Sequence, residues 1–235
     1  MNEKLGEAAV KKISVDKVVV FLPALDEERG IGMVVQGLQE LGIREIVVVD
    51  GGSTDRTAEV ARQKGAVVIP QQGKGKGAAF KTFLASYPLH DDAIVLMLDA
   101  DASYSPQDAP TLVQKILEGA EVASGNRAIL VFNLRSLAHA IGGRAISLLA
   151  SLLFLKWHPD FTSGYWAFRA SALKKIRVVA DEFDLEANLF AECAKRGLKL
   201  AIVPVSYQKR VGEAKLGSLD ALKIFASLLK YRFSK

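Results

Sequence analysis

Ala93-Ile-Val-Leu-Met-Leu-Asp-Ala-Asp101 decides how this chain is built. Its apolar residues run on without polar alternation, which describes a strand buried on both faces. The strand then delivers two carboxylates, Asp99 and Asp101, at its carboxyl end. Working outward, the same composition recurs at Lys17-Val-Val-Val-Phe-Leu22, stopped by Pro23, at Glu45-Ile-Val-Val-Val49 and at Ala66-Val-Val-Ile69. Helical spacing fills the intervals: residues 30–41 up to Gly42, a helix through Arg62 and another to about Ser86. Short buried strands alternating with helices predict an α/β domain, its sheet mostly parallel with helices on both faces. Ligands of such sheets sit beyond the carboxyl ends of the strands. Every polar cluster of the first half falls there: Pro23–Glu27, Asp50–Asp55 and Asp99–Ser103.

The second half is less regular. It reads as a strand at Glu121–Ser124, an apolar and basic stretch at 133–157, a polar loop at Asp160–Gly164, a helix near 185–196, a strand near 198–205 and an amphipathic helix to the end. No repeat, low-complexity tract or Pro/Gly-rich linker interrupts it, so one domain is expected over 17–216. An N-terminal extension, 1–16, precedes it and a C-terminal helix, 217–235, follows.

At 235 residues the chain can bury one sizeable core. Its formal net charge of +5 points to anionic partners without choosing among them. One cysteine, Cys193, allows no internal disulfide, which fits a reducing compartment; a buried packing role is expected for it. Residues 1–17 lack the apolar centre of a signal peptide. The longest apolar run, Ala145–Leu155 between Arg144 and Lys156, falls short of the ~20 residues that span a bilayer. A cytoplasmic protein, free or peripheral, is the expectation.

Asp99-Ala100-Asp101 carries the sharpest chemistry. Carboxylates at i and i+2 of an extended turn can share a Mg²⁺ or Mn²⁺, whose other positions go to water and substrate phosphates. Such a cation neutralises a diphosphate as it leaves. In Asp50-Gly-Gly-Ser-Thr-Asp55 the glycines permit the turn and a close approach of ligand to backbone, and Asp50 can accept from a ribose or base. Thr54 or Asp55 reads as the cap of the next helix. Gly73-Lys-Gly-Lys-Gly77 lacks Walker spacing; its lysines, Lys76 among them, suit a nucleotide phosphate, or belong to a solvated loop.

Taken in order, Pro23-Ala-Leu-Asp-Glu27, Val48-Val-Asp-Gly-Gly-Ser-Thr-Asp55, Gly75-Lys-Gly77 and Leu98-Asp-Ala-Asp101 resemble the family 2 glycosyltransferases of the GT-A, Rossmann-like fold. Ser124-Gly-Asn-Arg127, Asp160-Phe-Thr-Ser-Gly164 and Tyr207-Gln-Lys-Arg-Val-Gly-Glu-Ala-Lys-Leu216 resemble the branch that makes polyprenyl- and dolichyl-phosphate sugars, which feed protein glycosylation. The resemblance covers residues 17–217. It implies that Pro23, Leu25, Glu27, Asp50, Gly51, Lys76 and Ala100 line the donor nucleotide, and that Asp99 and Asp101 hold Mg²⁺ or Mn²⁺. It further implies that Arg127 and Arg135 meet an acceptor phosphate, and that Arg210 and Lys215 close over the donor diphosphate. Leu25 stands where an aromatic residue is common, Gly51 where a second Asp is common, and Ser103 where some mannose enzymes carry Gln. The Asp-Gly-Gly-Ser and Gly-Lys-Gly-Lys-Gly versions are closer to enzymes using UDP-glucose or UDP-N-acetylglucosamine than to those using GDP-mannose.

A hydroxyl acceptor needs a base, whereas a phosphate monoester with a second pKa of about 6 needs only cations to place it. His90, His139 and His158 lie outside the motifs and read as structural. Arg144 reads as a solvated residue on a helix. Residues 145–155 are apolar around the whole helix, and Leu222, Ile224-Phe-Ala226, Leu228 and Leu229 gather beside Lys223, Lys230, Arg232 and Lys235. Both segments are expected at a membrane surface. The expected activity is therefore inverting transfer of a hexose from a UDP-sugar or GDP-mannose to a dolichyl or polyprenyl phosphate. A small hydroxyl or phosphoglycerate acceptor, with Glu186 as base, is the alternative; a non-catalytic nucleotide-sugar binder is a further one. No nucleic-acid partner is expected, because the basic residues form no stripe interleaved with aromatics.

Overall fold

The structure is a computed structural model that describes residues 15–127, 134–180, 182, 184–211 and 220–234, with side chains undescribed at 134–140 and 220–222. In chain order the elements are β1 (Val18–Ala24), α1 (Ile31–Glu40), β2 (Glu45–Asp50), α2 (Thr57–Gln63), β3 (Val67–Pro70), α3 (Lys76–Ser86), β4 (Ile94–Met97), α4 (Ala109–Leu117), β5 (Val122–Arg127), α5 (Leu134–Phe154), β6 (Trp166–Arg169), α6 (Ala170–Leu173), α7 (Leu185–Lys195), β7 (Leu200–Val205) and α8 (Asp220–Phe233).

The strands form one sheet in the order β3-β2-β1-β4-β6-β5-β7. β1, β2, β3 and β4 run parallel, as do β5 and β7. β6 is the exception: it lies antiparallel to β4 and to β5, pairing Met97 with Trp166 and Ser124 with Trp166 from its two edges. Successive residues of β1 serve opposite faces, so both faces must be covered. Val19 and Phe21 join a core with Phe80, Phe83, Trp166, Phe168 and Phe190, under α3, α5, α7 and α8. Val18, Val20 and Leu22 join the other with Val34, Leu38, Leu112 and Ile116, under α1 and α4.

α5 divides its apolar surface. Ile146 and Ala150 are buried, while Ile141, Leu148, Leu149, Leu152 and Leu155 are exposed. α8 behaves differently from the sequence expectation: Leu228 and Tyr231 are buried, with Ile224 and Phe225 packed against the same core, so much of its apolar face meets α5 and α7. Cys193 is buried, as expected, and burial pushes its thiol up to about 12. Among the described residues no helix is long and apolar enough to cross a membrane.

Candidate active site

The loops that leave β1, β2 and β4 come together beyond the carboxyl ends of the strands. The loop after β1 is stitched to the loop after β2: Gly51 N donates to Ala24 O at 2.8 Å, Asp26 N to Ser53 Oγ at 2.9 Å, Thr54 N to Asp26 Oδ1 at 2.7 Å and Glu27 N to Thr57 Oγ1 at 2.7 Å. Asp50 is oriented by Ser53, whose Oγ donates to Oδ1 at 2.5 Å. A Cβ at Gly51 would stand 3.2 Å from Gln71 Oε1 and 3.3 Å from Ala24 O, a tight contact that the glycine avoids. Leu25 is exposed at the rim, Pro23 half-buried and Glu27 buried. Asp55 serves α2, accepting from Thr57 N at 2.9 Å, although Arg56 is the cap residue.

The carboxylates after β4 are held from several sides. Asp101 is buried, and its Oδ1 accepts from Ser103 N at 2.9 Å and Ser103 Oγ at 2.5 Å. Its Oδ2 lies 3.4 Å from Arg210 Nη2, which also donates to Glu27 Oε1 at 2.7 Å. Asp99 Oδ1 accepts from Lys76 Nζ at 2.5 Å, and the same ammonium reaches Glu186 Oε1 at 2.6 Å. Burial opposes the Lys76 charge, but Asp99 and Glu186 outweigh it and hold the ammonium above its ordinary pKa. Burial raises the pKa of Glu186, and Lys76 only partly offsets this. Ala102 takes φ 58 to complete the turn, a left-handed conformation that a non-glycine residue adopts at some cost. The segment after β7 lies over this turn: Gln208 N donates to Ser103 O at 2.9 Å and Val211 N to Asp101 O at 3.0 Å.

At the far end of β5, Arg127 donates to Asp160 through Nε at 2.8 Å and Nη2 at 2.6 Å, and Nη2 also meets Thr162 Oγ1 at 2.8 Å. Burial alone would raise the Asp160 pKa, yet the guanidinium wins and holds it below the usual carboxylate range. Arg144 was expected in solvent. Instead it pins this corner, donating to Asn126 Oδ1 at 2.7 Å, Pro159 O at 2.8 Å and Arg127 O at 2.6 Å. Arg135 falls in the first turn of α5 with its side chain outside the described residues, and Lys215 lies outside them altogether.

So the structure brings Glu27, Asp99, Asp101, Lys76 and Arg210 together and places Arg127 on Asp160. Sequence reading missed Tyr104, whose hydroxyl accepts from Gly164 N at 2.7 Å, and gave Ser103 no orienting role. The serine two residues after Asp101 was the available signal; Tyr104 left none. Among the described residues no three His, Cys, Asp or Glu gather as a self-sufficient metal site. Two carboxylates, with Asp101 Oδ1 engaged by Ser103 and Asp99 Oδ1 by Lys76, instead suit a hard cation that takes few protein oxygens and completes its shell with phosphate oxygens and water.

Residues 19–177 match the glycosyl transferase family 2, and the chain belongs to that family. Its curated relatives include a dolichyl-phosphate hexose transferase of Haloferax volcanii, 34% identical over 86% of this chain and 87% of that protein. Glycosyltransferase AglJ of the same organism is 33% identical over 83% of this chain, which spans only 64% of AglJ. Among solved structures, glucosyl-3-phosphoglycerate synthase from Mycobacterium tuberculosis in complex with Mn²⁺, UDP-glucose and phosphoglyceric acid superposes with a TM-score of 0.74 at 27% identity, over 96% of this chain and 82% of that one.

Proposed function

We propose that this chain moves a hexose from a UDP-sugar, with GDP-mannose as the other candidate donor, to a dolichyl or polyprenyl phosphate at a membrane surface. One observation carries the acceptor assignment. Ile141, Leu148 and Leu152 leave an exposed apolar face along α5, with Leu155 exposed just past its end, on the helix whose Arg144 grips the Arg127–Pro159 corner. Residues 134–157 contain no Asp or Glu. A helix face of this kind suits the boundary of an anionic bilayer, where the lipid's phosphate would be presented to Arg135 and to the Arg127 edge. The dolichyl-phosphate hexose transferase relative supports the same acceptor.

Attack by a phosphate oxygen on the anomeric carbon forms one C–O bond as the bond to the nucleoside diphosphate breaks, with inversion. A dianionic phosphate brings no proton to remove. The chain's own work is placement: Asp50, Glu27 and Pro23 hold the nucleotide, and Arg210 and Lys215 take up charge on the departing diphosphate. Asp99 and Asp101 would hold Mg²⁺ or Mn²⁺, which supplies charge neutralisation at that diphosphate.

A second reading has a specific observation behind it. The solved synthase above was captured with phosphoglyceric acid, so a small hydroxyl acceptor fits this fold, with Glu186 as the base. Its carboxylate, however, is already engaged by Lys76 at 2.6 Å. The two readings separate in a panel of UDP- and GDP-sugars offered with polyprenyl phosphate or with phosphoglycerate, in Mg²⁺ or Mn²⁺, read by product mass. A lipid-linked monophosphate sugar is expected; equal turnover without any lipid phosphate overturns the assignment.

A further inference from the structure

Each member of the Asp99–Asp101 pair faces a cation of the chain itself, Lys76 on one and Arg210 on the other. Lys76 is built into this position. It opens α3, its side chain is only 14% exposed, and the turn before it needs Gly75 at φ 87. The next residue anchors the turn, Gly77 N donating to Glu182 O at 3.1 Å. Gly164 makes room for the carboxylate the lysine reaches, since a Cβ there would stand 2.3 Å from Asp99 Oδ2. A divalent cation that binds Asp99 Oδ1 therefore competes with Lys76 for the same oxygen, at like-charge repulsion.

We propose that Lys76 is the resident counter-ion of Asp99 and yields it only when a divalent cation arrives with a nucleoside diphosphate, which offers the displaced ammonium a new anionic partner. Glu186 keeps the lysine within reach during the exchange. The lysine is then a positioning residue that makes cation binding depend on the donor. This rests on the reading of Asp99 and Asp101 as a cation site made above.

The test is Mn²⁺ binding, followed by the electron paramagnetic resonance of free Mn²⁺, without nucleotide and with saturating UDP or, in parallel, GDP. Lys76→Met is expected to tighten nucleotide-free Mn²⁺ binding about 10-fold or more, and to shrink the further tightening that nucleotide gives the unaltered protein. Lys74→Met removes an equal charge from the exposed part of the same loop and should shift affinity less than about 2-fold. Should Lys76→Met fail to fold by circular dichroism, Lys76→Gln, which still donates to Glu186, replaces it. Unchanged or weaker binding in the folded Lys76 variant, with Asp99→Asn weakening it, overturns the exchange while leaving the cation site intact. Affinity indifferent to Asp99→Asn brings down the underlying site instead.

Discussion

Gly164 sets its bare Cα against the carboxylate of Asp99: a Cβ there would stand 2.3 Å from Oδ2 and 2.7 Å from Cγ. The polar loop 160–164 is thus a wall of the site. Tyr104, which accepts from Gly164 N, holds that wall in place. Gly164→Ala should turn Asp99 away from its present position and lower kcat/KM about 100-fold, a loss of about 2.7 kcal/mol in transition-state stabilisation. Nucleotide-free stability should change little by comparison. Gly30→Ala probes the other side, where the new Cβ would meet backbone at Ala100 O, 2.7 Å, and Asp101 Cα, 2.9 Å. Backbone cannot swing aside as a side chain does, so this variant should lose stability as well as activity in parallel denaturation and rate measurements.

How far such contacts could be read in advance depends on their range. β1 to β4 were legible because each is an apolar run ending at a polar turn, although β3 is not the buried strand expected: it lies at the sheet edge with Val67 exposed. β6 was not: Trp166–Arg169 follows a polar loop, and its antiparallel place between β4 and β5 is a tertiary choice. α4 was overlooked although Pro110 in its first turn is a permitted residue there. Asp99, Asp101 and Glu27 could be placed because the resemblance fixed their order. The Lys76–Glu186 contact joins residues 110 positions apart, and nothing local in Gly73–Gly77 announces a buried acid partner. α8 showed the limit of amphipathic reading, since a face that fits a membrane fits a protein core equally well.

His158 should make the fold sensitive to mild acid. Its ring stacks on Trp166 and meets Phe190 edge-on, and Nδ1 accepts from Asp160 N at 3.1 Å. Burial lowers its pKa to about 4; nearby Asp160 opposes the shift and Arg144 adds to it. The folded protein thus binds the proton less well than the unfolded chain, whose histidine titrates near 6.5. Stability from this group is complete above about pH 6.5 and is lost as pH falls toward about 4, by up to about 3 kcal/mol. His158→Gln keeps an acceptor and removes the titration. Urea denaturation across that window should show the loss in the unaltered protein and a much flatter dependence in the variant.

Glu186→Gln separates an acceptor that needs a base from one that does not. With a phosphate acceptor the glutamate only steers Lys76, so the variant should retain turnover within about 10-fold, below the 10²–10⁴-fold cost typical of a lost general base. The pH profile should report the same thing, with no limb of kcat disappearing. A collapse of kcat at unchanged nucleotide affinity would instead move the assignment to a hydroxyl acceptor.

Leu155 offers the sharpest test of the membrane face. It follows α5 directly with φ 53, where glycine or asparagine is the usual choice, and the residue is 89% exposed. A large apolar residue here is unfavourable twice, once for its left-handed backbone and once for its contact with water. Inserting it with Ile141, Leu148 and Leu152 into a lipid boundary would return on the order of 4 kcal/mol, enough for weak, reversible attachment. Leu155→Gly should therefore stabilise the isolated protein by about 0.5–1 kcal/mol, raising Tm by a few degrees. The same change should reduce flotation with vesicles containing anionic lipid. Adding Leu152→Ser should reduce it further, because it removes a second exposed apolar side chain at the same end of α5. A variant that gains stability and floats undiminished would show that this face meets something other than lipid.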